Sequence, residues 1–230
     1  MFWIFYDWTF WVFVVPGLLF GIWAQMKVKA AYEKYQKVRV ARGITGYDAA
    51  RAILNANGLH DVRIEKIAGT MTDHFDPRDN VVRLSAPVYD GASVASVGIA
   101  AHECGHAVQY AKGYAPMKVR GALVGATNFS SMTSMLFVML GVIFAFPALA
   151  YFGVALFGIL VFFQLITLPV EFNASRRAIE ALEGSGAFRE EELDGVDQVL
   201  TAAALTYIAA LVSAVLQLLR LLVIAKNSDR

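Results

Sequence analysis

A chain of 230 residues of which 57% are hydrophobic and only 17% charged, with a mean hydropathy of +0.52, is too apolar for an ordinary soluble domain of this size and reads as a membrane protein. Its formal net charge of +1, with basic residues clustered only beside apolar segments, gives no electrostatic case for nucleic acid. The single cysteine excludes an intrachain disulfide.

The first apolar segment, residues 2–24, is long enough to cross a bilayer and carries one charge, Asp7, close enough to its end to reach the interface. It lacks a basic leading region and a small-residue cleavage site, and it holds Trp3, Trp8, Trp11 and Trp23. A retained transmembrane anchor over residues 1–24 is therefore expected rather than a cleaved signal. Lys27, Lys29, Lys34, Lys37, Arg39 and Arg42 follow it directly.

Residues 25–120 read as a small soluble α+β unit. Thr45-Gly46-Tyr47-Asp48 predicts a helix start with an acidic first turn, which Ala49, Ala50, Ile53, Leu54 and Ala56 continue until Gly58 closes it. Val62, Ile64 and Ile67, nearly alternating with Arg63, Glu65 and Lys66, predict a strand. Residues 81–84 predict a second after the turn-forming residues 76–80. A strand just before a helix that carries catalytic groups is where a hydrolase can hold a peptide in extended form by edge pairing.

The next element carries the most chemistry. From Ser93, a plausible N-cap, to a basic last turn and terminating glycine at Lys112-Gly113, the chain predicts one helix of ordinary length. In its second half stands His102-Glu103-Cys104-Gly105-His106. Histidines at i and i+4 project from one helix face, so both imidazoles can reach one Zn²⁺ while the glutamate acts as general base toward a metal-activated water. Cys104, about 200° around the helix from His102, is expected to point away as a small buried hydrophobe.

Between Arg120 and Glu171 lie 50 residues without one Asp, Glu, Lys or Arg. As a helix they would run about 75 Å, roughly two bilayer crossings and a turn, and Phe146-Pro147 offers the turn, so residues 121–170 are expected to form a transmembrane hairpin. Residues 171–197 then form a helical segment followed by an acidic stretch. An uncharged run over residues 198–219 makes a fourth span within 198–230, with Arg220 able to snorkel. Ala202, Thr206, Ala210 and Ala214 make a small-residue stripe on it, expected to pack against other spans of the same chain. With alternating spans, the basic residues 27–42, Lys112, Lys118, Arg120, Arg176 and Arg177 share one side, which the positive-inside rule makes cytoplasmic, and the motif helix goes with them.

A catalytic zinc usually has three protein ligands and an open position, and no histidine follows residue 106. The third ligand is then a downstream carboxylate, or His74 or His60 from upstream. Glu171 stands out because it ends the long uncharged run and begins a new helical one; an interfacial carboxylate closing a span is the plainer reading. His74, flanked by Asp73 and Asp76, reads either as a donor to a tetrahedral oxyanion or as a turn histidine bonded to local carboxylates.

Residues 72–78, 82–85, 101–108, 114–116 and 171–178 together resemble the YugP-type neutral zinc metallopeptidases of bacterial membranes, in order and over nearly the whole chain. The resemblance implies a gluzincin-like peptidase with a zincin-like cytoplasmic unit among four transmembrane helices, one catalytic Zn²⁺ held by His102, His106 and Glu171, and Glu103 as base. Glu171-Phe172-Asn173-Ala174-Ser175 is more distantly similar to the E-x-x-A-D segment of membrane gluzincins, from which it departs at Ser175, where those relatives carry Asp.

The expected function is hydrolysis of peptide bonds, in substrates associated with the bilayer, by an integral protein of the bacterial inner membrane whose site faces the cytoplasm. Two other readings stand beside it. A site-2-type intramembrane protease would use Leu193-Asp194-Gly195, but the charged residues 189–192 beside it cannot lie in hydrocarbon. A non-catalytic scaffold with structural zinc would need a fourth ligand, commonly a Cys.

Overall fold

The computed structural model describes residues 7–227, so Trp3 and the start of the first expected span, and the tail after residue 227, lie outside the described residues. A π-helical turn at Phe10–Val14 leads into α1 (Val15–Tyr35), followed by α2 (Gly46–Ala56), β1 (Arg63–Ile67), β2 (His74–Asp76) and β3 (Val81–Ser85). Then come α3 (Ala86–Tyr89), α4 (Val94–Ala111), α5 (Ala115–Ile143), α6 (Pro147–Gly184) and α7 (Glu190–Asn227). The fold is mainly α with a small α+β part, and α1 with its π-turn, α5, α6 and α7 are each long and apolar enough to cross a membrane.

These helices do not stop where the uncharged runs stop. α1 continues through Lys27, Lys29 and Lys34, α6 continues through Glu171, Arg176 and Arg177, and α7 begins among Glu190, Glu191 and Glu192. Ala, Glu, Lys and Arg are good helix formers, so a loss of hydrophobicity marks the limit of hydrocarbon without ending the helix.

The described residues fall into two compact units. One comprises residues up to Gln25, Val119–Leu168 and residues from Leu205. Within it, α5 and α6 form a hairpin through residues 144–146, where Ala145 takes a positive φ of 48° and Pro147 opens α6. Close packing needs two glycines: a Cβ on Gly141 would lie 2.4 Å from the Ala150 nitrogen, and one on Gly153 would lie 2.6 Å from the Ser134 carbonyl oxygen. Val138, Ala150, Val154, Leu221 and Ala225 are buried together. Of the small-residue stripe, Ala214 lies buried in this unit, and beside it the Ser213 hydroxyl donates to the Gly17 carbonyl at 3.2 Å. Asp7 and Arg220, both expected at an interface, meet each other: the guanidinium Nη2 donates to Asp7 Oδ2 at 2.7 Å and Nε donates to Thr9 Oγ1 at 3.2 Å.

The second unit comprises Met26–Lys118 and Pro169–Ala204. At its centre runs α4, buried along most of its length, including Val94, Ala95, Val97, Gly98, Ala100, Ala101, Cys104, Gly105, Ala107 and Val108. A helix covered on most of its surface must carry small or apolar residues over most of it, and this one does, with Ile99, His102, Glu103 and Tyr110 the less buried face. Around it the core draws on α2 (Ala50, Ile53, Leu54), the sheet (Val82, Leu84), α6 (Ala178, Leu182) and α7 (Val196, Val199, Leu200). Thr45 and Asp48 form a reciprocal capping box at the start of α2, Gly58 with φ +71° follows its end, and Ser93 accepts from the Ser96 N–H at 3.1 Å to cap α4. Buried Glu192 accepts from the backbone N–H groups of Ala41 and Arg189, at 2.7 and 2.9 Å.

The sheet differs from the two strands expected. Its order is β1-β3-β2, with β1 parallel and β2 antiparallel to β3. The strand that precedes the motif helix is therefore central, with both edges already paired, and it has no edge to offer a peptide. The outer strands are β1 and the unexpected β2, the latter three residues of His, Phe and Asp before a proline, too short for any periodicity to show. Asp73 accepts from the Ser85 N–H at 2.7 Å, and Arg83 reaches Asp76 at 3.1 Å and Asp79 at 2.5 Å, which holds β2 to β3.

The Asp7–Arg220 pair is expected to be coupled. Asp7→Ala and Arg220→Ala should each lower the thermal stability of the detergent-solubilised protein, and the double variant should lose no more than the worse single one, a coupling of about 1 kcal/mol. Additive losses would show that the pair contributes no interaction of its own.

Candidate metal centre

Three side chains meet between α4 and the second-unit part of α6. His102 and His106, one turn apart on α4, stand with ring centroids 4.7 Å apart and planes at 86°. Both Nε2 atoms face the Glu171 carboxylate, at 3.3 and 3.5 Å from Oε2. One ligand atom from each of the three residues lies within 4.8 Å of the other two, and this is the only such group of His, Cys, Asp and Glu among the described residues. His106 and Glu171 are buried and His102 nearly so. Two imidazole nitrogens and one carboxylate oxygen converging in this way suit zinc, with a position left for water or substrate.

What makes the meeting possible is a glycine. Gly105, between the two histidines, faces α6 so closely that a Cβ there would sit 2.5 Å from the Ala174 carbonyl oxygen. Glu171 lies one turn before Ala174, and Ser175 directly follows it, so this crossing delivers both to the histidines. Ser175 Oγ is 3.2 Å from His102 Nδ1, so the position at which the sequence departs from the E-x-x-A-D pattern puts a hydroxyl beside His102. On the other ligand, His106 Nδ1 lies 3.0 Å from the oxygen of Gln109, which is wholly buried. Burial alone disfavours the His106 imidazolium, but hydrogen bonding to Glu171 and the charges of Glu103 and Glu171 outweigh it and raise the pKa of the ring above its ordinary value.

Glu103 stands beside the cluster and outside it. Its carboxylate accepts from the Phe75 N–H of β2 at 3.1 Å, and the Phe75 ring packs on Tyr110 of α4 with centroids 5.9 Å apart. The outer strand is thus docked on the motif helix beside the proposed base. His74, its neighbour on β2, is exposed and donates from Nδ1 to the Thr72 carbonyl at 2.8 Å. The turn-histidine alternative placed it on local carboxylates. Those are engaged elsewhere, Asp73 with Ser85 and Asp76 with Arg78 and Arg83. His60 is exposed after α2, with Nδ1 3.3 Å from Asn55 Oδ1. Neither histidine joins the cluster.

Cys104 is buried, with Sγ 3.6 Å from the Ala50 carbonyl, and burial pushes its thiol pKa up, as suits an inert packing residue. Asp194 also stands outside the cluster. The glycine beside it is a packing position, since a Cβ on Gly195 would lie 2.7 Å from the Tyr35 ring. The described residues add no fourth ligand of these types to the group.

The sequence reading did not single out Gly105, Gln109 or Asn173. A signal existed for the first, because glycine in a helix interior costs about 1 kcal/mol relative to alanine and so marks a close approach. For Gln109 the spacing of three from His106 was available, since such residues neighbour each other on a helix.

A family model described as "Putative neutral zinc metallopeptidase" matches residues 10–226. The chain is similar to a protein of Bacillus subtilis (strain 168) described as "Putative membrane protease YugP", at 46% identity over 213 residues that cover 93% of this chain and 95% of that protein. No solved structure matches.

The crossing at Gly105 generates a specific expectation. Gly105→Ala should force α4 and α6 apart, cost about 1–3 kcal/mol of stability by overpacking, and part Glu171 from the histidines. Thermal melting and elemental analysis for zinc after dialysis check it. Unchanged melting and unchanged zinc would show that the crossing tolerates a methyl group.

Proposed function

This chain belongs to the neutral zinc metallopeptidase family, and from that membership and the buried group of two imidazoles and a carboxylate we propose that it is an integral-membrane zinc endopeptidase of gluzincin type. His102, His106 and Glu171 would hold one zinc ion, leaving a fourth position for water or the scissile carbonyl. Bound zinc supplies Lewis acidity, which lowers the pKa of a water at that position and polarises the carbonyl. The protein's own groups supply the rest. Glu103 accepts the proton of the attacking water as its oxygen adds to the carbonyl carbon, then passes that proton to the amine nitrogen as the C–N bond breaks. The Phe75 N–H, bonded to Glu103 Oε2, orients this carboxylate. Apart from the Phe75 N–H that Glu103 holds, the outer edge of β2 is the proposed strand for an extended peptide to pair with beside Glu103. His74, on the same strand, is the proposed donor to the oxyanion. With Nδ1 donating to Thr72, only its imidazolium has a second N–H to give.

The observation that carries this reading is the convergence of His102, His106 and Glu171 next to a carboxylate that is not part of their group. In the purified protein, Glu103→Gln should keep its zinc yet lose peptidase activity toward an unfolded protein by about 10²-fold or more, because the base is not a ligand. Glu171→Ala should lose zinc and activity together, whereas Glu180→Ala, exposed farther along α6, should keep both. Product masses and metal content are the measurements, and full activity in Glu103→Gln would overturn the mechanism.

The side of the membrane follows from Lys27, Lys29, Lys34, Lys37, Arg39, Arg42, Lys112, Lys118, Arg120, Arg176 and Arg177, which we take as cytoplasmic in the bacterial inner membrane. Substrates are then peptides or protein segments reaching the cytoplasmic face of the bilayer. A thiol label at Ala148→Cys, in a Cys104→Ala background, should react only from the opposite face; labelling only from the cytoplasm would reverse the topology.

A further inference from the structure

We propose that Gln109 is a positioning residue of the metal centre: through a polar relay that starts at Arg177, it compels Nδ1 of His106 to carry the hydrogen and so leaves Nε2 as the metal-facing atom. The proposal rests on the reading of the cluster as a zinc site, but its logic is independent of the metal.

The relay has one possible polarity. Arg177 is always a donor, and its Nε donates to Asn173 Oδ1 at 2.8 Å, so the Asn173 atom at this junction must be the carbonyl oxygen. The same Oδ1 lies 3.0 Å from the side-chain amide of Gln109, which must therefore present its NH₂. That NH₂ also donates to the Val170 carbonyl at 2.7 Å, a second acceptor that a flipped amide would face with oxygen. Gln109 is thus oriented twice over, and its Oε1 is turned to His106 Nδ1 at 3.0 Å. An amide oxygen only accepts, so Nδ1 must donate. The other ring nitrogen then faces Glu171 Oε2 at 3.5 Å. A neutral ring held this way points a lone pair at a carboxylate, an arrangement that a cation between them completes.

The relay also fixes the third ligand. Val170 and Asn173, the two α6 residues that Gln109 grips, lie one residue before and two after Glu171, and Gln109 is wholly buried, so both bonds are formed away from water. One side chain on α4 thereby sets the tautomer of one ligand and the position of another. The contrast with His102 is direct. Its Nδ1 meets the Ser175 hydroxyl, which can donate or accept, so no polarity is imposed there.

The test uses the full-length protein in detergent and needs no substrate. Ring-selective ¹⁵N NMR, with His106 assigned by the signal missing in His106→Ala, reports whether Nδ1 carries a slowly exchanging hydrogen, and competition with a chelating dye reports zinc affinity. In wild type Nδ1 should be protonated with and without zinc. Gln109→Met should lose that protected hydrogen and bind zinc about 10–100-fold more weakly. Asn173→Leu should do the same, while Asn173→Asp, which keeps the acceptor between Arg177 and Gln109, should restore the protected hydrogen and most of the affinity. An unprotonated Nδ1 in wild type overturns the proposal, as does a folded Gln109→Met protein with wild-type zinc affinity. If Gln109→Met fails to fold, the Asn173 pair and the wild-type spectrum decide. Wild type that binds no zinc but shows the protected Nδ1–H overturns the zinc reading and leaves the relay standing.

Discussion

The close approach of α4 to α6 at Gly105 is the contact on which the site depends. Without a Cβ at Gly105, the backbone of α4 comes to rest on the Ala174 carbonyl, and side chains of the α6 turn over residues 171–175 fall within reach of the motif. Glu171 then meets both histidines and Ser175 meets His102, while Asn173 reaches Gln109. A methyl group at one position would alter all of these contacts, because a packed interior transmits a shift instead of absorbing it.

Burying α4 so completely imposes a second condition. Buried polar groups on this helix must find partners within the protein, and they do: Ser96 with Ser93 and Pro87, His106 with Gln109, and Gln109 with α6. The same bonds that satisfy the core also aim the metal ligands. A metal held by the proposed ligands would therefore link its binding to the stability of this unit, as wherever ligands come from separate elements.

The other unit meets its environment by different means. Lipid tails offer no hydrophobic gain when apolar helices associate, so association relies on close backbone contact and polar bonds. Gly141 on Ala150, Gly153 on Ser134 and Gly17 on Ser213 supply the first, and Asp7 with Arg220 the second. Outward-facing Leu18, Leu19, Phe129, Met132, Phe152 and Phe162 are exposed, as side chains meant for lipid should be.

Much of this was legible in the chain itself. Four apolar stretches announced four helices because the bilayer sets their length, the Ser93 cap and Gly113 bounded the motif helix, and spacings of one and four placed Glu103 and His106 relative to His102. Helix ends were misplaced because charge marks the edge of hydrocarbon and does not stop backbone hydrogen bonding. The strand β2 was missed because three residues have no period, and without it β3 was expected to have a free edge when it is in fact the central strand. Composition and periodicity are local properties, so the sequence by itself determined the helices, the membrane character and the two histidines. The resemblance had already pointed to Glu171 as the carboxylate that joins them, whereas which strand flanks Glu103 and which amide meets His106 were decided by tertiary structure alone, since each depends on two backbones approaching closely enough for groups distant in the chain to touch.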